Sequence, residues 1–360
     1  MQDNAMSRWL STLMAFCLSF ILIATLAPVT GIQLERQLDF WLLWLGTMLV
    51  LALPLTYMEI ALAKRSKTTA LQALSSLTRD ADASAQWRLV GWLAAVFIPF
   101  LAGAMLFNVS QMLTQLALPT ILPLWIFIGL ALVAMALSFI SRLVLLGLTA
   151  VGVIAAFILA QVMGAPVAEW QMTALEFGEW GNATVLALVA SGLGLGMYWQ
   201  TSLPAVQQQQ VATKTVFPIW LAQLLAVVAF AFFSATAQLP AFALAFAVVM
   251  AAALILQLAR EQLAQRQIAV AIQWIILLAA TLIWAIPGLA SVLNPLLMIW
   301  GLVICLIYAI FAGWIMKISH LRKSMNFSSE AFYNLWRIAI RIVLPLAIIA
   351  ALLAVIGQMF

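Results

Sequence analysis

Hydrophobic residues run through this chain in long stretches, and short polar segments separate them. The stretches are about 20 residues long or longer, which is the length that an α-helix needs to cross a bilayer. Strands of a membrane β-barrel would instead alternate over about ten residues. The pattern therefore predicts membrane-spanning helices at residues 9–30, 39–63, 89–117, 121–140, 143–164, 183–203, 215–238, 240–259, 268–286, 294–316 and 333–357.

The composition supports the same fold class. Hydrophobic residues make up 66% of the chain and charged residues 8%, with a mean hydropathy of +1.15. Soluble domains contain about 45–50% hydrophobic residues and about 25% charged residues. This excludes a cytosolic enzyme, a nucleic-acid-binding module and a secreted disulfide scaffold. We predict an all-α polytopic protein of about eleven transmembrane helices, in which residues 1–360 form a single domain in the lipid bilayer.

The charges predict an orientation. When the eleven spans alternate, every Lys and Arg except Arg36 falls on one side of the membrane. Basic loops stay preferentially in the cytoplasm. We therefore expect a cytoplasmic N-terminus and an outer C-terminus, in a plasma or bacterial inner membrane. The two longest loops are residues 64–88 and 164–182. The pattern of the first predicts an amphipathic helix at 68–77 on the inner face, and that of the second predicts an outer segment at the membrane interface.

The chain contains little that could carry catalysis. Its single histidine, His320, lies in a basic loop without a cysteine or carboxylate cluster nearby. The sequence contains neither a phosphate-binding glycine loop ending in Lys-Ser/Thr nor an HExxH zinc motif. We expect no enzymatic activity, no metal centre and no cofactor.

The sixth span contains an unusual segment, SGLGLGMYWQTS. Its glycines at positions Gly192, Gly194 and Gly196 each cost roughly 1 kcal/mol relative to alanine in a helix. Their spacing of two differs from the spacing of four that packs helices closely. The pattern favours a broken helix that lines a solute cavity over a packing face, with Ser191 and Thr201 as polar ligands.

Glu59 is an ionisable residue deep in the second span. A buried carboxylate without a partner costs several kcal/mol or takes up a proton. Three interpretations remain open. Glu59 caps exposed backbone amides, pairs with a loop arginine such as Arg65, or serves as an ion or proton site.

Four stretches stand out in this order along the chain: LALPLTYMEIALAKRSK (51–67), VGWLAAVFIPFLAGAM (90–105), SGLGLGMYWQTS (191–202) and FAGWIMKISHLRKSMNFSSEAFYNLWRIAIRIVLPLAI (311–348). The last stretch contains Gly313, Trp314, Leu335, Trp336, Arg341 and Pro345. Through these residues and in this order, the four stretches resemble the neurotransmitter:sodium symporter family, which has the leucine-transporter fold.

The resemblance implies an inverted repeat of five plus five helices, 9–164 and 183–316, with an additional helix at 333–357. It also implies sodium-coupled uptake of an amino acid or a related small organic solute. The solute would bind between spans 1, 3, 6 and 8, with Thr25 as a partner opposite the sixth span.

The chain departs from the family pattern where the family binds sodium. The first span has neither glycine nor asparagine between Ser19 and Pro28, and the eighth span offers Leu254 and Ile255 where the family has hydroxyls. The third span has no tyrosine. Sodium remains a possible ligand whose expected partners are missing, and we predict a transporter with altered or absent sodium coupling.

A transport-inactive scaffold or regulatory subunit with the same fold is the alternative. A polar cavity of roughly 300 Å³ or more beside the sixth span would favour transport. A centre packed shut by Phe20, Leu22, Leu254 and Ile255 would favour the scaffold. The oligomeric state is left open.

Overall fold

A computed structural model describes residues 2–27, 29, 37–116, 119–163, 169–192, 197, 211–231, 240–327 and 329–359. Within these ranges nearly all of the backbone is helical. The helices are α1 (Gln2–Leu26), α2 (Leu38–Ser66), α3 (Ala70–Asp80), α4 (Leu89–Leu116), α5 (Pro123–Leu137), α6 (Arg142–Met163), α7 (Phe177–Ala190), α8 (Thr213–Ala229), α9 (Ala241–Gln265), α10 (Val270–Ala285), α11 (Ala290–Ile315), α12 (Ile318–Met325) and α13 (Glu330–Gly357).

Each predicted span corresponds to one of these helices, and α3 and α12 are short amphipathic helices between spans. The prediction of an all-helical polytopic membrane protein is thereby confirmed. The amphipathic helix expected at 68–77 is α3.

Among the helix boundaries that differ from the prediction, two lie where polar side chains extend the helices. Helix α7 begins six residues before 183, since Glu176 and Glu179 form a capping box in which the Glu176 N–H donates to Glu179 Oε2 at 3.0 Å. Helix α9 continues six residues beyond 259. There Glu261 forms an ion pair with Arg142, and Arg260 donates to the carbonyl of Ser138 at 3.0 Å.

Helices α1, α4, α7 and α9 form the buried centre of the protein. Every residue of α9 from 247 to 259 is buried, as is every residue of α7 from 181 to 190. The central part of α1 and the middle of α4 are equally enclosed. Any site at the middle of the bundle is therefore built from these four helices.

The basic loops meet at one end of the bundle, which we call the basic face. Arg266, after α9, donates to Gln72 of α3 at 2.8 Å, and Lys317, after α11, donates to Asp82 after α3 at 2.6 Å. The hydrogen bond from Lys317 lowers the pKa of the exposed Asp82 carboxyl. These contacts place three predicted inner loops on one face.

The predicted outer segments meet at the opposite end. The N–H of Leu38 donates to the carbonyl of Gln171 at 2.9 Å, and the N–H of Thr173 donates to Asp39 Oδ1 at 3.1 Å. The segment before α7 is thus tied to the start of α2. The separation of the two ends matches the predicted alternation of spans, while the direction in which the protein sits in a membrane remains a prediction.

Helix α2 contains one turn of π-helix at Met48–Ala52, in which the N–H of Leu53 bonds to Met48 O five residues before it. The indole N–H of Trp220 in α8 donates to Met48 O at 2.9 Å. Two residues after the π turn, the indole N–H of Trp336 in α13 donates to Pro54 O at 3.1 Å. Two tryptophans from neighbouring helices therefore satisfy the irregular part of α2.

Replacing Gly103 by alanine is expected to destabilise the protein by about 1–3 kcal/mol, the usual cost of overpacking a core. A Cβ at Gly103 of α4 would lie 2.6 Å from the carbonyl oxygen of Thr281 and 2.7 Å from the ring of Trp284. The matched control is Gly129→Ala in α5, where a Cβ meets no atom within 4 Å. This control should be neutral or slightly stabilising, because alanine is the better helix former. Thermal unfolding in detergent measures the stability of both variants, and equal midpoints would contradict the close contact of α4 with α10.

Candidate functional site

Helix α7 ends in the interior of the protein, at the first of the glycines that the sequence pointed to. The N–H of Ser191 still bonds to Ala187 O at 3.1 Å, and the N–H of Gly192 bonds to Val189 O at 3.0 Å. Gly192 then adopts a φ of +86°, a left-handed conformation that glycine accepts without strain. Both Ser191 and Gly192 are buried. The helix therefore ends in the core and not at the membrane surface.

The end of α7 is held by α1. The hydroxyl of Ser19, fully buried, donates to the carbonyl of Ala190 at 2.6 Å. This contact joins the middle of α1 to the last residue of α7. The last carbonyls of a helix lack intrahelical partners and carry a partial negative charge. Ser19 satisfies one of them, while the hydroxyl of Ser191 turns back to Leu188 O at 2.8 Å.

Helix α1 itself is continuous from Gln2 to Leu26. The hydroxyl of Thr25 bonds to Ile21 O at 2.8 Å, within the same helix. The carbonyl of Thr25 accepts a hydrogen bond from the amide of Asn108 in α4 at 3.0 Å. The centre of the described structure thus combines an unbroken α1 with an interrupted α7, and Asn108 ties α4 to the end of α1.

A small cavity of about 20 Å³ lies beside α7, between α1, α4 and α11. Its walls are apolar and include Leu26, Phe97, Leu101, Val189 and Leu297. A volume of this size holds about one water molecule. The cavity is therefore a closed apolar gap next to the helix end, far smaller than an amino acid.

Aliphatic and aromatic side chains fill the positions that the sequence marked as decisive. Phe20, Leu22, Leu254 and Ile255 are all fully buried. The Phe20 ring packs against the ring of Phe157, with centroids 4.7 Å apart. None of these four side chains carries an oxygen that could bind a hard cation.

Glu59 is buried in α2, with 1% of its surface exposed, and lies within electrostatic reach of Cys305 and Tyr308 of α11. One interpretation pairs Glu59 with a loop arginine such as Arg65, and in the structure Arg65 pairs with another carboxylate. Helix α3 folds back and brings Asp80 to Arg65, with a distance of 2.8 Å between Arg65 Nη2 and Asp80 Oδ2. The interpretations of Glu59 as a cap of backbone amides or as an ion or proton site remain predictions.

Three of the predicted site residues, Gly194, Gly196 and Thr201, lie outside the described residues. Of the others, Ser191 and Gly192 lie together at the end of α7, and Thr25 lies in the last turn of α1. Their role in solute binding remains a prediction. Ser19 was not selected from the sequence, because a serine among apolar residues of a spanning helix gives no sign of its partner 171 positions away.

The comparison with solved structures identifies a common architecture. The chain is similar to MhsT, whose crystal structure was determined in complex with L-phenylalanine, with a TM-score of 0.58 and 16% sequence identity. The match covers 94% of this chain and 98% of MhsT, a protein with the leucine-transporter fold. This chain has the leucine-transporter fold. Neither a family model nor a curated protein matches the sequence.

The fold implied by the resemblance is thus confirmed over nearly the whole chain. Membership of the neurotransmitter:sodium symporter family remains a prediction, because the identity of 16% establishes the architecture alone. The inverted repeat of 9–164 and 183–316 is likewise still a prediction.

Proposed function

We propose that the protein is a secondary transporter of an amino acid or a related small organic solute. The solute would bind where α7 ends, opposite Ser19 of α1 and beside α4. This site is the one that the geometry supports best, and it involves no catalytic step.

The observation that carries the proposal is the helix end buried at Ser191 and Gly192. Within a membrane, backbone groups that are not in regular helices are tolerated where they contact protein or line a cavity. Interrupted helices at the centre of a bundle are how transporters present backbone groups to a solute. The negative end of α7 favours a cationic ammonium group, and that is one reason to propose amino acids or amines.

We further propose that sodium coupling is altered or absent. Support comes from the continuous helix α1 and from the buried side chains of Leu254 and Ile255, which replace potential oxygen ligands. The proposed orientation has the basic face in the cytoplasm, the N-terminus inside and the C-terminus outside. Movement of α1, α2, α7 and α8 against the remaining helices would then alternate access to the site.

A transport-inactive scaffold or regulatory subunit is the second candidate. The observation that favours it is the closed centre, in which the gap beside α7 measures about 20 Å³ and Phe20, Leu22, Leu254 and Ile255 are fully buried. A protein that only binds partners needs no space for a solute. A transporter captured between its open states would also have a closed centre, so binding measurements must separate the two.

The deciding experiment is a thermal-unfolding screen of the purified full chain against the twenty amino acids, in sodium, potassium or choline chloride. A ligand at 100 times its dissociation constant adds about 2.7 kcal/mol to stability. Stabilisation in all three salts would support a solute site without sodium dependence. Stabilisation in sodium alone would contradict the loss of coupling, and an absence of stabilisation in every salt would favour the scaffold.

A further inference from the structure

Helices α11 and α13 cross at a point where both contain one turn of π-helix, at Phe311–Ile315 and Ala339–Val343. Arg341 Nε donates to the carbonyl of Gly313, and the indole N–H of Trp314 donates to Arg341 O at 3.2 Å. The Arg341 guanidinium also lies 5.3 Å from the centre of the Trp314 ring. These reciprocal contacts hold Arg341 in a defined position.

Arg337 lies one helical turn before Arg341, and residues four apart share a helix face. Both arginines line a cleft between α11, α12 and α13, whose walls include Met316, Leu321 and Tyr333. The cleft measures about 10 Å³, close to the space that one water molecule needs. It can therefore admit one oxygen of a larger anion that sits at its mouth.

In the described part of the chain, Arg337 and Arg341 form no ion pair, and the carboxylate closest to them in sequence, Glu330, pairs with Arg322. The ion pairs there involve Arg65, Arg142, Lys317 and Arg322, each with an Asp or Glu. Neither Arg337 nor Arg341 belongs to one. Arg341 uses its Nε for the carbonyl of Gly313, so its two terminal nitrogens remain as donors. Arg322 also lies close enough to act electrostatically on the phenol of Tyr333, beside the other two arginines.

The surroundings place the cleft at the edge of the apolar surface. Trp314 is 60% exposed, and Ile338 and Ile342, each next to one of the arginines in sequence, are about half exposed. Lys317 lies at the start of α12 and Lys323 in its last turn, so the wall that α12 contributes to the cleft is basic. A ligand that suits both sides has an anionic group and apolar chains.

We infer that this cleft, between Arg337 and Arg341, binds the phosphate of an anionic phospholipid in the leaflet on the basic face. Guanidinium groups bind phosphate oxygens in pairs and with defined geometry. Basic pockets between transmembrane helices on the cytoplasmic side bind anionic headgroups. The inference does not depend on transport, because the same cleft would bind lipid in an inactive scaffold.

Native mass spectrometry of the purified full chain in detergent, titrated with phosphatidylglycerol or phosphatidylcholine, tests the inference. Phosphatidylglycerol should bind, and Arg337→Gln should weaken its binding at least about tenfold, since hydrogen bonds to charged groups contribute strongly. The matched control is Lys214→Gln, which removes an exposed cation that does not line the cleft. This control should leave the affinity within about twofold.

One further variant and one competitor without acyl chains test whether the guanidinium geometry and the lipid chains matter. Arg337→Lys should recover part of the affinity, since it restores the charge without the paired geometry. Glycerol phosphate, which lacks acyl chains, should displace little lipid at matched concentration. Equal losses for Arg337→Gln and Lys214→Gln, equal binding of phosphatidylcholine, or full displacement by glycerol phosphate would each overturn the proposal. The thermal midpoint of Arg337→Gln should match that of the unmodified protein, because Arg337 forms no hydrogen bond with the described residues.

Discussion

Replacing Gly192 by alanine is expected to lower solute uptake at least about tenfold. Gly192 has a φ of +86°, which costs an L-residue about 1–2 kcal/mol. The backbone can relieve this strain by shifting the end of α7, and a displaced helix end would lose the proposed hydrogen bonds to the solute. One lost bond to a charged group amounts to about 1.5–3 kcal/mol, or at least about tenfold in affinity. Uptake into vesicles that contain the purified protein measures the effect.

Gly288 provides the matched control, because it shares the backbone conformation but not the location. Its φ is +77°, it is exposed between α10 and α11, and a Cβ there would meet no atom within 4 Å. Gly288→Ala should lower the thermal midpoint by an amount similar to Gly192→Ala and leave uptake unchanged. Uptake that neither variant lowers would show that the end of α7 is not the solute site. An equal loss of uptake in both would mean that the defect is general instability.

The proposed mechanism depends on the difference between α1 and α7. The sequence predicted the interruption of the sixth span from its glycines at 192–196, and the continuity of α1 is a finding of the structure that agrees with the absence of glycine between Ser19 and Pro28. Glycine destabilises a helix, whereas the Leu, Ile and Ala of α1 favour it. The hydrophobic runs likewise predicted the membrane helices, because the length needed to cross a bilayer limits the choices.

The sequence did not predict the contacts between helices. The indole of Trp220, which donates to the π turn at Met48–Ala52, is 172 residues away from Met48. The pairing of Arg65 with Asp80 depends on the direction in which α3 folds back. Local patterns contain neither piece of information. They describe the length and polarity of each helix but not which side chain of another helix will meet it.

The closed centre also bears on the two candidate functions. Sequence alone identified Phe20, Leu22, Leu254 and Ile255 as apolar residues at positions where the family binds ions, and the structure buries all four. A continuous α1 uses its own carbonyls within the helix, and this leaves few oxygens for a cation among the described residues. Loss of sodium coupling and loss of transport would both leave this pattern. The two differ in whether the region around the apolar gap can accept a solute.

Replacing Phe97 by alanine is expected to destabilise the protein by about 3 kcal/mol, the usual cost of removing a buried aromatic ring. Phe97 is 1% exposed, lines the gap of about 20 Å³, and packs edge-on against Trp300 with centroids 5.4 Å apart. The control is Phe242→Ala in α9, where the ring is 62% exposed. Lipid chains can replace the contacts of Phe242, because they are as apolar as the ring, so this variant should cost less than about 1 kcal/mol.

Thermal unfolding of both variants in mixed micelles measures the difference in stability, and equal midpoints would contradict the tight packing beside α7.

Phe97→Ala also separates the two candidate functions. An enlarged apolar cavity accepts an apolar group. If the solute binds at the end of α7, Phe97→Ala should therefore be stabilised by amino acids with larger side chains than those that stabilise the unmodified protein. In a transport-inactive scaffold, the variant would lose stability without any change in amino-acid binding, because no solute reaches the enlarged space.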